Sequence, residues 1–212
     1  MITSWVPSVP IVKPNLEIWI FKFFPTQDGL SHVYNAQVLK DYHKHENYTI
    51  RDVYRLNLTL FPNWMSHVLM AVLMYLLPPI VCEKIVISLC IVGLPLSLFY
   101  FLNAVDKGKT LFGLLGFVYT YHYLLQMGFY NFALSMPLFF FTLGYWWKHR
   151  TEMNQGRLGR LYAMLLMTFF SHFQSYVQLV LSLSFFAGFS FVYAAGHDGG
   201  YIIPRNCVSA SK

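Results

Sequence analysis

The chain has 212 residues, 56% of them apolar and 19% aromatic, with only 11% charged and a net charge of +6. An ordinary soluble domain carries about 25% charged residues, so the composition points instead to an all-α, polytopic transmembrane bundle. The cations sit in loops beside apolar spans, where they set topology; the positive balance is therefore no nucleic-acid footprint, and no nucleic-acid partner is expected.

Residues 1–62 differ from the remainder. They hold six Lys/Arg and five acids, and no apolar run there is long enough to span a bilayer. Pro7, Pro10 and Pro14 favour an extended beginning. From Leu30 the apolar positions Val33, Tyr34, Val38 and Tyr42 recur at three- and four-residue steps, which predicts an amphipathic helix suited to the membrane interface. Residues 56–61 alternate weakly as a strand would, ending at Pro62.

Residues 63–196 read as the transmembrane bundle and 197–212 as a polar tail. The stretch 64–81 is apolar apart from Ser66 and His67 and is broken by Pro78 and Pro79. Glu83 and Lys84 are expected to separate it from a span over 85–105, and Asp106, Lys107 and Lys109 form a short basic loop. A further span is expected over 111–127, turning at Gly128 into the most telling run of the chain. From Phe129 to Trp147 there are nineteen uncharged residues, about the length that crosses a ~30 Å hydrocarbon layer as a helix. Tyr145, Trp146 and Trp147 then form an aromatic collar before Lys148 and Arg150, the order of a helix end at a cytoplasmic face.

The loop 148–160 carries four cations and one acid and is placed in the cytoplasm. The last apolar stretch, 161–196, has thirty-six residues and one ionisable group, His172. As one helix it would run about 54 Å, so a break is expected near His172. Cys82, Cys90 and Cys207 show no metal-like pairing and read as small hydrophobes. His43 and His45 with Asp41 make only a weak metal pattern, so no metal set is assigned.

One parity question follows. If 64–81 crosses the bilayer, residues 1–62 are cytoplasmic; if it dips or lies flat, they are outside. The string Thr26-Gln-Asp-Gly-Leu-Ser-His-Val-Tyr-Asn-Ala36 resembles the acidic motif early in the first outer loop of glycosyltransferases of the GT-C fold. These are polytopic enzymes that use lipid-phosphate-linked sugars. The resemblance implies that residues 1–62 are outside, that 64–79 does not cross, and that Asp28 is a catalytic base. It further implies that His32, His122, Asn131 and His172 line a donor groove. Asn131 stands where the fold often has a second outer acid, in a turn leading into Gly128-Phe-Tyr-Asn-Phe-Ala-Leu134. No cofactor is expected; a divalent metal is left open, but Asn131 brings it no negative charge. A complete member would carry further helices before Asp28 and after Gly196, so further membrane helices or subunits are implied partners, and an inactive fragment stays open. The implied location is the plasma (inner) membrane, multi-pass, with the bilayer and a lipid-phosphate-linked sugar as partners. The rival readings are a small transporter or channel subunit, and a non-catalytic membrane scaffold.

Overall fold

The computed structural model describes residues 13–57 and 59–198, with side chains over 17–57 and 59–192. Pro7, Pro10, Cys207 and the tail from 199 onward lie outside the described residues. Among the described residues the chain is helical, with no strand, so the alternation over 56–61 forms none.

Helix α1 (Lys13–Ile20) carries Pro14 in its first turn, where a missing N–H costs nothing. Helix α2 (Gly29–Asp41) fills the expected amphipathic stretch but turns a different face inward. Gly29, Val33 and Ala36 are buried, while Leu30 and Tyr34 stay exposed. The short helices α3 (Tyr48–Val53) and α4 (Met65–Leu73) follow. Nine residues of α4 reach only about 14 Å, so 64–79 is not a crossing helix.

Helix α5 (Pro79–Val105) starts with Pro78 at its N-cap and Pro79 in its first turn. Glu83 and Lys84 therefore lie inside α5, 3% and 8% exposed, and not in a separating loop. Distant partners make that burial possible. Tyr130 donates its hydroxyl to Glu83 Oε1 at 2.6 Å. Lys84 donates to the Phe21 carbonyl at 2.6 Å and sits over the Trp19 ring.

The predicted span over 111–127 is overturned as a single helix. A 3₁₀ stretch (Lys107–Leu114), α6 (Leu115–Val118) and α7 (Tyr123–Met127) replace it. Its path is nevertheless a return along α5. A Cβ on Gly113 would strike Phe99, and one on Gly116 would lie 2.7 Å from Pro95 Cα, so the segment presses onto α5 too closely for larger residues.

Helix α8 (Tyr130–His149) lies parallel to α5. Tyr130 meets Glu83 at one end, and Gly144 packs against Tyr100 and Phe101 at the other. Helix α9 (Gln155–Ser171) runs back, with the Tyr145 hydroxyl donating to the Arg157 carbonyl and Ser171 donating to the Asn131 carbonyl. Helix α10 (Phe173–Asp198) then runs parallel to α8, pairing Ser175 with Ser135 and Phe186 with Trp147. The break falls at His172, whose φ of −157° and ψ of 122° are extended. The excess length requires a break, and it falls in the polar cluster from Ser171 to Tyr176.

Among the described residues, two helices are long and apolar enough to cross a membrane by length and composition: α5, and the Phe173–Val192 part of α10. Leu181, Phe185, Phe189, Phe191 and Val192 are exposed on α10, an apolar surface that suits contact with hydrocarbon.

Candidate functional site

The parallel helices α5, α8 and α10 begin at the same end of the molecule, and α2 and α4 pack over that end. Two backbone hydrogen bonds tie the loop before α2 to the turn before α8: Gln27 N–H to Gln126 O (3.0 Å) and Asp28 N–H to Met127 O (3.2 Å). The turn needs glycine twice over. Gly128 has φ +92°, and a Cβ there would lie 3.0 Å from the Asp28 nitrogen. This contact brings Asp28 to the Gly128–Asn131 turn, a hundred residues away along the chain.

Between these elements lies a cavity of about 600 Å³. Asp28, His32, Asn131 and His172 all line it, together with His67 and Gln174. Four of the five candidate residues thus share one space. His122, the fifth, does not line it. Its ring packs edge-on against Phe132, and its Nδ1 accepts from the Leu125 N–H, capping α7.

Asp28 occupies the N-cap of α2, where an Asp side chain normally accepts from the first turn. Here it makes no capping bond. Among the described residues its carboxylate has no hydrogen bond or ion pair, and it opens on the cavity. Asn131 behaves differently. It is 6% exposed; its Oδ1 accepts from Ser66 N–H and its Nδ2 donates to the Asn63 carbonyl, both at 2.8 Å. Ser66 is in the first turn of α4, so a side chain from α8 supplies the cap that Trp64, at the N-cap, does not. The Trp64 N–H is in turn held by the Phe170 carbonyl at 2.8 Å. Asn131 is thus the knot joining α4, α8 and α9.

Three groups escaped the sequence reading. His67 is one; its Nε2 lies 2.9 Å from His32 Nδ1. Burial pushes His67 down to about 4, with the neighbouring His32 adding to the effect. Burial also lowers His32, against the opposing pull of Asp28. The other two, buried Glu83 and half-buried Thr26, form a triad with Tyr130. Since Tyr130 donates to Glu83, Thr26 must donate to the Tyr130 oxygen at 2.8 Å. The Tyr130 ring also packs on His32, 5.2 Å between centroids. His67 was legible as the one histidine in an otherwise apolar run. Glu83 and Thr26 carried no local signal.

Among the residues lining the cavity there is no Lys or Arg, and Asp28 is the one formal charge. The N-terminal ends of α2, α8 and α10 open on it, presenting the partial positive charge of their dipoles. Among the described residues no three His, Cys, Asp or Glu side chains converge as a metal site, so His43, His45 and Asp41 form none.

Comparison with known proteins finds no family model, no curated protein and no solved structure that matches the chain.

Proposed function

We propose that the chain is a multi-pass membrane protein of the inner (plasma) membrane resembling the first half of a GT-C glycosyltransferase. It would transfer a sugar from a polyprenyl-phosphate donor to an acceptor hydroxyl on the outer side. Asp28 is the base that takes the acceptor proton as the anomeric bond to phosphate breaks. One carboxylate suffices for an inverting displacement. His32 and His172 line the donor groove; Asn131 shapes it from behind, and His122 supports the Phe132 wall.

The observation that carries the reading is the uncapped Asp28 carboxylate facing a cavity built from the Gly128–Asn131 turn and the α9–α10 break. A stability-driven N-cap would have spent that carboxylate on the helix. The short α4 supports the outer placement of residues 1–62, because it leaves α5 as the first long apolar helix among the described residues.

The test is sugar transfer. The protein, reconstituted in vesicles, is offered polyprenyl-phosphate-linked hexoses and hydroxyl acceptors, and release of polyprenyl phosphate is followed. Acceptor-dependent release supports the reading. No release from any such donor, with the cavity shown to be folded, removes it.

A further inference from the structure

The cavity combines two features that oppose each other. The proposed donor carries phosphate, yet the lining offers no permanent cation and one carboxylate. Helix dipoles contribute about half a charge per end and fade within a turn, so they do not by themselves balance a phosphate beside Asp28. The remaining groups able to become positive are the histidines.

His32 and His67 form a chain of hydrogen-bonding positions. Their rings meet through Nδ1 and Nε2 at 2.9 Å. With both rings neutral, one N–H fills that bond and the second is on the outer nitrogen of the accepting ring. The outer nitrogen of the donating ring is left as an acceptor, so one added proton is taken up there without breaking the bond between the rings.

We propose that the His32–His67 pair is a proton-linked anion site, taking up one proton from solvent as a phosphate group enters the cavity and sharing it as the phosphate's counter-cation. The proposal builds on the transferase reading only for the choice of phosphate. No substrate bond forms or breaks in this step: one solvent proton adds to a ring nitrogen, and one anion is bound.

The surroundings decide when the proton arrives. Burial keeps both rings neutral in the empty cavity, His67 down to about 4. From the loop before α2, Asp28 favours the proton on His32. From α8, the Tyr130 ring covers His32 while its hydroxyl is held by Glu83 of α5. His172 faces the same space from the α9–α10 break. On the far side, His67 borders a second cavity of about 270 Å³ lined by Tyr42, Tyr54 and Arg55. An anion within about 4 Å of the pair reverses the balance, because opposite charges at that range favour the charged form. Binding and protonation then strengthen each other by the same factor.

The test uses the full chain in detergent micelles and titration calorimetry with two probes that keep their charge over the whole pH range. Inorganic sulfate stands for a free phosphate, and citronellyl sulfate for a lipid-linked one. Each is titrated at pH 6 in two buffers of different ionisation heat. About one proton taken up per anion is expected, with affinity falling about tenfold per pH unit as pH rises from 5 to 7. Binding of both probes alike assigns the site to the head group alone; binding of citronellyl sulfate only assigns it to a lipid-linked anion. Either outcome supports the proposal. Binding with no proton uptake, or no binding of either probe, overturns it. His32→Gln and His67→Gln should each abolish the uptake, and uptake surviving in both folded variants also overturns it. A chain that binds the anion with its proton yet transfers no sugar keeps this proposal and loses the transferase reading.

Discussion

Asn131 offers a sharp test because its surroundings call for an amide and disfavour a carboxylate. Its amide serves two backbone groups at once, accepting from Ser66 N–H and donating to Asn63 C=O, and the side chain is 6% exposed. Asn131→Leu orphans both groups. An unsatisfied buried donor or acceptor costs about 1–3 kcal/mol, so the loss is about 2–6 kcal/mol. For a chain of this length each kcal/mol moves Tm by about 2–4 °C, giving a fall of roughly 5–20 °C. Asn131→Asp keeps the acceptor but turns an oxygen toward the Asn63 carbonyl and buries a charge. Its folded pKa must rise above the ordinary carboxylate value, because only the protonated acid can donate to Asn63. A raised pKa contributes stability that is present below the unfolded pKa and lost as pH rises through the folded one. The deficit of Asn131→Asp relative to the unsubstituted chain should therefore be larger at pH 7.5 than at pH 5. Thermal unfolding in detergent at the two pH values measures both effects. An Asn131→Asp chain as stable as the parent at pH 7.5 would refute the capping role and reopen Asn131 as a ligand-binding group.

Three further outcomes follow from the packing and the topology. Gly29→Ala should destabilise strongly or prevent folding, since a Cβ would lie 2.5 Å from the Tyr130 hydroxyl, amid the Thr26 and Glu83 oxygens; expression and Tm report it, and a wild-type Tm would mean that the triad yields easily. His122→Ala removes the α7 cap, at a cost of about 0.5–2 kcal/mol; Tm should drop while sulfate affinity holds, whereas a large affinity loss would return His122 to the cavity. In a chain with Cys82, Cys90 and Cys207 replaced, a cysteine at Gln155 should resist impermeant labelling of intact cells, and ready labelling would invert the orientation.

What could be read without coordinates was whatever depends on length and local order. The run from Phe129 to Trp147 appears as α8, and the excess length of 161–196 required a break, which the polar cluster around His172 placed. The approach of Asp28 to Asn131 came from a resemblance, and the paired bonds of Gln27 and Asp28 to the 126–127 backbone give it a physical cause. Burial of Glu83 and Lys84 was illegible, because the groups that compensate them lie 47 and 63 residues away. The inner face of α2 was misjudged for a related reason. Tyr130 and Glu83 leave room for Gly29 but for no side chain there, and that fixes the helix rotation so that Val33 and Ala36 face the core. Residues 111–127 had enough apolar residues for a span, and nothing local announced that the chain enters it through a 3₁₀ stretch over Lys107–Leu114.

Whether Asp28 takes the acceptor proton, as proposed, is tested most directly by one rate comparison. Asp28→Asn keeps the shape and the backbone bond to Met127 while removing the proton acceptor. Removing a general base costs about 10²–10⁴-fold in rate. Single-turnover transfer from a polyprenyl-phosphate-linked sugar should slow by that factor, with donor affinity changed less than about threefold, since Asp28 acts on the acceptor. Transfer by Asp28→Asn at the parent rate would contradict the account.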